Sequence, residues 1–313
     1  MKYYLPYFAG IGVALTWGMS FIFTKGALDY LDPFHLLGLR FAMAIAAMSL
    51  LRVAGIIKFS VTPNDYVKFI PLTFFQPILY FSTETIGILL TSASYAGMMI
   101  AISPIIVAIL AAAILGERPN SIQIIFILTS ISGVVTIIYM DNQNSFSINS
   151  LGTIVLLGTV TAAACYNISS RKASTNYSPL QITWVMMVIG AVVFNSISLF
   201  QHFTNGAVVY YLKPISVLWP TIFYLGVVSS VAAFFMYNFV LSKITATQGA
   251  VFNNLVTVVA ISAGVMFLGE LVYWYHLAGT AAILIGVWGT NYYTPALKVK
   301  RKQLRIQQTR EDL

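Results

Sequence analysis

The residue with the most chemistry to offer is Glu84, a carboxylate inside the apolar run 66–89 and about five residues from its end. A carboxylate in such a run is costly and normally turns toward a bundle interior or water. Helical spacing sets Gln76, Tyr80, Thr83 and Glu84 on one stripe, so the acid belongs to a polar face rather than standing alone. Two activities fit it: contact with a substrate amine, and proton uptake and release. A structural ion pair, or a carboxylate reaching the outer interface, accounts for it equally well. Arg40 lies about seven residues into the run 34–54, roughly 10 Å deep at 1.5 Å per residue. It can snorkel, bind a substrate carboxylate, or pair with Glu84, Asp29 or Asp32, and Arg40 with Glu84 forms a candidate charge pair or gate.

Uncharged groups at mid-run supply hydrogen bonding. Trp17 and Ser20 lie in the first run, Tyr166 and Asn167 in the sixth, and Asn253 and Asn254 in the ninth. Such side chains often only join helices, but two adjacent amides cannot both face lipid cheaply. Tyr95, Met98, Met99 and Ile102 form a stripe that suits either an adaptable apolar pocket or a packing seam. The substrate-contacting set expected on these grounds is Trp17, Ser20, Gln76, Tyr80, Glu84, Tyr95, Met99, Asn167, Tyr237 and Asn253. Glu117 and Glu270 each follow a Leu-Gly pair at a helix end, where a carboxylate can accept from the amides that open the next helix, or act as a gate. His35, His202 and His276 do not cluster in sequence and Cys165 is the single cysteine, so neither a metal site nor a cofactor is expected. Phosphate-loop, His-Glu-x-x-His and Gly-x-Ser-x-Gly patterns are missing from the sequence.

The elements that must hold these groups follow from composition. Of 313 residues, 58% are hydrophobic and 8% charged, against about a quarter charged in soluble domains. Long continuous apolar runs exclude the alternating pattern of a membrane barrel, leaving an all-α polytopic membrane bundle. Ten runs qualify, at about 5–27, 34–54, 66–89, 94–115, 121–140, 151–171, 179–200, 216–240, 248–268 and 274–293. With the N-terminus inside the cell, Lys2, Arg52, Lys58, Lys68, Arg118, Arg171, Lys172, Lys243 and the six tail cations from Lys298 to Arg310 are cytoplasmic. Only Lys25, Arg40 and Lys213 are not, which sets both termini in the cytoplasm. The net charge of +8 is therefore read as topology, not as nucleic-acid binding. The basic tail 296–313 serves as an anchor or meets anionic lipid.

An internal repeat divides the chain. Leu115, Gly116 and Glu117 recur as Leu268, Gly269 and Glu270, and Ala93, Ser94 and Gly133 fall on Ala246, Thr247 and Gly286 at the same offset of 153. Earlier, Lys25 and Tyr30 fall on Lys172 and Tyr177, while Glu84 falls on Tyr237, beside Asn238. Two five-helix halves, 1–140 and 151–295, follow, joined by an external polar linker 141–150. Because five is odd, the second half is inverted relative to the first, and the two enclose a central cavity. Thr257 stands where the first half has Pro104, so a break in the ninth helix is not expected.

The stretch Leu90, Thr91, Ser92, Ala93, Ser94, Tyr95, Ala96, Gly97, then Ser103-Pro104, Leu115-Gly116-Glu117-Arg118 and Gly133-Val134-Val135, resembles the fourth and fifth helices of the EamA-type branch of the drug/metabolite transporter superfamily. Leu15 to Ser20, and Asp32-Pro33-Phe34 with Leu39-Arg40-Phe41, are similar to its first two helices. The resemblance implies a ten-helix transporter of the inner or plasma membrane that exports amino acids or similar metabolites by alternating access. An importer, a metabolite exchanger or a membrane-embedded lipid-modifying enzyme is the alternative. Substrate, direction, proton coupling and oligomeric state stay open at this level.

Overall fold

The computed structural model describes residues 4–100, 102–142, 150–204, 215–268 and 273–293, and every regular element among them is helical. Among the described residues, six stretches are long and apolar enough to cross a membrane. They are α1 (Leu5–Leu28), α2 (Pro33–Val53), α9 (Ser150–Ala173), α10 (Pro179–Thr204), Val217–Lys243 and Ala246–Gly264. Shorter apolar helices accompany them. Prolines open α2 and α10, since the missing N–H is an orphan there anyway and φ is already helical. Asp32, just ahead of Pro33, is extended, as the proline ring requires.

The third run is not one smooth helix. It comprises α3 (Pro63–Lys68), α4 (Ile70–Thr73), a π-helical turn at Phe74–Leu79 and α5 (Tyr80–Leu90). Pro77 removes a ladder donor inside that turn, and Gln76 adopts an extended backbone there. The eighth run is α11 (Ile215–Phe223), a π-helical turn at Tyr224–Ala232 that starts four residues after Pro220, and α12 (Ala233–Lys243). The fourth run is α6 (Ala93–Ile100), α7 (Ser103–Leu110) and a π-helical turn Ala111–Leu115, closed by Gly116 at φ +69°, a conformation open to glycine. Helix α8 (Ser121–Asn142) follows. The ninth run, expected to be unbroken, is α13 (Ala246–Val251) and α14 (Asn253–Leu268), parted by a turn in which the Phe252 amide donates to Gly249 O at 3.2 Å. A tightened i−3 turn interrupts the helix without any proline. The last helix among the described residues is α15 (Trp274–Tyr292).

Helix α2 packs on α10, and α8 on α15. Helix α1 lies against α14 and α12, while α9 lies against α6, α7 and α5. The turn Tyr224–Ala232 meets α2, and Phe74–Leu79 meets α10. At the α8–α15 seam a Cβ on Gly133 would sit 2.5 Å from Gly279 O, and one on Gly286 would sit 2.6 Å from Phe126 O. Only glycine permits that approach, and small residues at such seams are how helices associate without a hydrophobic driving force. Apolar side chains such as Phe8, Leu50, Ile109 and Phe200 face outward, as lipid allows, and Tyr4, Trp219, Trp274 and Trp288 stand exposed toward helix ends, like an aromatic belt. The linker 141–150 lies almost wholly, and the tail 296–313, Lys213 and Glu270 entirely, outside the described residues, as do the side chains of Met98 and His276.

Candidate functional site

All four interrupted runs deliver side chains to one narrow cavity. Its walls are Trp17 and Phe21 of α1, Gln76 and Tyr80 of the third run, Ile100 of α6, Ala163, Tyr166 and Asn167 of α9, Tyr237 of α12, and Asn253 and Val256 of α14. The space is about 20 Å³, room for roughly one water. No lining residue carries a formal charge.

Most of the polar groups here are already engaged. Tyr237 donates its hydroxyl to Asn167 Oδ1 at 2.5 Å, and Asn253 Nδ2 donates to Ser103 Oγ at 3.1 Å. Tyr166 donates to Asn238 Oδ1 at 2.6 Å, an oxygen that also accepts from Ser170 at 2.7 Å. Trp17 Nε1 donates to Ser229 O at 3.2 Å, and its ring packs 4.9 Å from Tyr237 and 5.0 Å from Phe234. Gln76 differs. Among the described residues its side-chain amide has no hydrogen-bond partner, and it sits in the cavity wall on the extended backbone of the π-helical turn. A buried amide in that position has both a donor and an acceptor to offer a guest.

Behind this wall stand the two charges. Glu84 is buried and accepts the Tyr80 hydroxyl at 2.7 Å, so it touches the cavity through Tyr80. Arg40 donates from Nε to Ser230 Oγ at 2.8 Å and from Nη2 to Ser229 Oγ at 3.1 Å, with its guanidinium 4.4 Å from the centre of the Phe81 ring. Ser230 in turn donates to Leu225 O at 2.7 Å, within the wide turn. Among the described residues no carboxylate lies within ion-pair distance of Arg40. The candidate Arg40–Glu84 pair makes no direct contact: two serines and an aromatic face hold the cation. Ser229 links the two regions, since its hydroxyl holds Arg40 and its carbonyl holds Trp17.

The bundle is fastened beyond both ends of the cavity. At one end Lys25 Nζ donates to Ile88 O at 3.0 Å and Thr91 O at 3.1 Å, tying α1 to the carbonyl terminus of α5, where a cation is favoured. Thr159 donates to Thr83 at 2.8 Å, and Tyr95 meets Thr153 at 3.1 Å. At the other end Arg171 pairs with Glu117, Nε to Oε1 at 2.9 Å, and donates from Nη1 to Leu241 O at 2.9 Å. Glu117 Oε2 accepts from Ala246 N at 2.8 Å, the first amide of α13. Glu117 does cap a helix, but that helix is α13 in the other half of the chain rather than the next one, α8. Four segments meet at this one latch.

Of the expected contact residues, Trp17, Gln76, Tyr80, Asn167, Tyr237 and Asn253 lie on the cavity. Ser20 turns back to Trp17 O at 2.7 Å. Met99 is packed in the apolar core, and Tyr95 flanks the same core. Asn254 points to Ser130 on α8 and so leaves the cavity to Asn253. Phe21, Ile100, Ala163 and Val256 are lining residues outside the expected set; Phe21, Ala163 and Val256 each lie one helical turn from an expected residue, Trp17, Asn167 and Asn253 respectively.

The model of the EamA-like transporter family matches residues 5–139 and again 150–292. A transporter of uncharacterised function from Bacillus subtilis, YcxC, is 37% identical over 289 residues, covering 91% of this chain and 92% of that one. A probable amino-acid metabolite efflux pump of Salmonella typhimurium is 23% identical, with 90% and 93% covered. One solved crystal structure superposes with a TM-score of 0.66 at 15% identity, covering 90% of this chain and 99% of the other, which is a likeness of fold. The chain belongs to the EamA-like transporter family and is an integral membrane transporter, not an enzyme.

Proposed function

We propose that this member of the EamA-like family exports neutral, amino-acid-like metabolites by alternating access around the cavity at Gln76, Asn167 and Asn253, with both termini in the cytoplasm. The observation that carries the substrate class is the wall itself: amides, tyrosine hydroxyls and an indole, with no charged residue. A zwitterion presents an ammonium and a carboxylate but no net charge. Amide groups, which both donate and accept, serve both ends without the desolvation cost of a fixed ion. A nucleotide sugar or another polyanion would call for Arg or Lys in the wall. The name of the Salmonella relative, a probable amino-acid metabolite efflux pump, points the same way.

Alternating access rests on a ten-helix inverted repeat, 1–140 against 151–295. Two features support it. The family model matches twice, once in each half. Exchanging each element for its counterpart also turns the α1–α14 contact into α9–α7, α1–α12 into α9–α5, and α2 with Tyr224–Ala232 into α10 with Phe74–Leu79. A bundle with that exchange symmetry rocks about its centre. At about 20 Å³ the cavity is closed to any amino acid, so loading requires the Glu117–Arg171 latch or the Lys25 tie to part. Glu84, linked to the wall through Tyr80, is the group that would carry proton coupling.

Thermal stabilisation of the purified protein by a panel of neutral, cationic and anionic amino acids, cationic drugs and nucleotide sugars tests the substrate class. A ligand at a hundred times its Kd adds about 2.7 kcal/mol. Neutral amino acids should stabilise the protein, and Asn167→Ala should about halve the effect. Stabilisation by the drugs or nucleotide sugars alone would overturn the reading.

A further inference from the structure

A second space, of about 510 Å³, opens between α4 with its π-helical turn, α7 and α9. Its walls are mostly apolar, with Leu72, Phe75, Leu110, Ile114 and Ile168 among them, and Cys165 lines it too. Exposed Lys68, which ends α3, and exposed Lys172, near the end of α9, also border it. Cys165 lies two turns along α9 from Lys172, so the groove runs roughly 10 Å down the helix from its charged rim. Outward-facing Ile70 and Phe74 flank it, on a surface that faces acyl chains.

The rim charge is largely uncommitted. Lys172 forms no ion pair among the described residues. Lys68 Nζ lies 3.7 Å from Asp65 Oδ1. Asp65 already accepts from Thr62 N at 2.8 Å, Tyr177 OH at 2.8 Å and Thr62 Oγ1 at 2.8 Å, bonds that hold its carboxyl down to about 2. Two ammonium groups therefore border the groove, and the one carboxylate in reach of Lys68 is already three times hydrogen-bonded. Apolar walls below a net positive rim match one class of molecule, a phospholipid whose headgroup is anionic.

We propose that this groove is a specific binding site for an anionic phospholipid, the phosphate held between Lys68 and Lys172 and an acyl chain lying along Phe75, Cys165 and Ile168. The groove and the central cavity share a partition: Phe75 and Cys165 face the groove, and their neighbours Gln76 and Tyr166 face the cavity. A bound chain would thus brace the π-helical turn that presents Gln76. The assignment needs neither the transport reading nor the orientation of the termini.

The single native cysteine supplies the test, because a seated acyl chain shields Cys165. The protein is reconstituted in phosphatidylcholine vesicles with or without phosphatidylglycerol, and modification of Cys165 by the uncharged reagent N-ethylmaleimide is timed by mass. Lipid at roughly twice its Kd should slow the reaction about threefold. The Lys68→Gln/Lys172→Gln variant should lose that protection while labelling normally in phosphatidylcholine alone. Soluble glycerol phosphate at millimolar concentration should not protect. Equal rates in the two vesicle types would overturn the site, a comparison that needs only the wild-type protein. Protection retained in the double variant would overturn the headgroup assignment, and protection by glycerol phosphate alone would make it a site for a free anion rather than a lipid.

Discussion

Replacing Glu84 with Gln separates a carboxylate that positions the cavity wall from one that props up the bundle. The Tyr80 hydroxyl donates to Glu84 Oε1 over 2.7 Å, and Gln offers an acceptor of the same shape without the charge. A hydrogen bond to a charged group contributes about 1.5–3 kcal/mol and one between neutral groups about 0.5–1.5. The expected loss is therefore about 1 kcal/mol, or roughly fivefold in any equilibrium that depends on where Tyr80 points. Arg40 keeps Ser229, Ser230 and Phe81, none of which the substitution touches. The Glu84→Gln protein should stay monodisperse, lose little thermal stability, and transport several-fold less or with an altered pH profile. Tyr80→Phe removes the same bond from its other end, so the double variant should be no worse than the poorer single variant, the non-additivity expected of contacting residues. Melting curves and solute exchange in liposomes for all three decide it. A loss of several kcal/mol in stability, rescued by Arg40→Met, would mean that the two charges depend on each other after all, and the reasoning from their separate partners would be refuted.

Breaking the latch by Arg171→Met removes two charge-assisted hydrogen bonds, and because the pair is only partly buried the effect should be about 1–2 kcal/mol. A cysteine introduced at Ala163 in a Cys165→Ala background should then react faster with a thiol reagent added from the latch side, whereas an unchanged rate would deny the latch a gating role. Gly286→Leu should cost more than about 3 kcal/mol or prevent assembly, because the side chain meets the Phe126 carbonyl across the α8–α15 seam; a normal melting curve would contradict that packing. A cysteine within 142–149 should react with an impermeant reagent outside intact cells and one at Gln307 should not, and the reverse pattern would remove the orientation argument.

Much of the bundle could be read from the chain because lipid imposes a strong rule: apolar runs must be helices. The proposed halves rest on short repeated motifs, and Gly133 and Gly286, one offset apart, meet partners at the same seam. Pro77 announces a disturbed helix, yet no local signal specifies a π-helical turn or that Gln76 would be freed by it. The ninth-run turn at Phe252 carries no proline and was invisible for that reason. Ser20 satisfies itself on its own helix, an option any serine has and sequence does not reveal. Partners far apart along the chain, such as Glu117 with Ala246 or Arg40 with Ser230, depend on tertiary packing that no periodicity encodes.

Counterflow of neutral amino acids into liposomes holding the wild-type, Gln76→Ala or Asn167→Ala protein tests the transport site most directly. The wild-type protein should exchange them without chemical change. Each variant should fold normally and lose about tenfold in exchange, the consequence of one hydrogen bond worth about 1.4 kcal/mol. Exchange that is absent for neutral amino acids but present for a charged solute, or variants that transport as well as the wild type, would contradict the account.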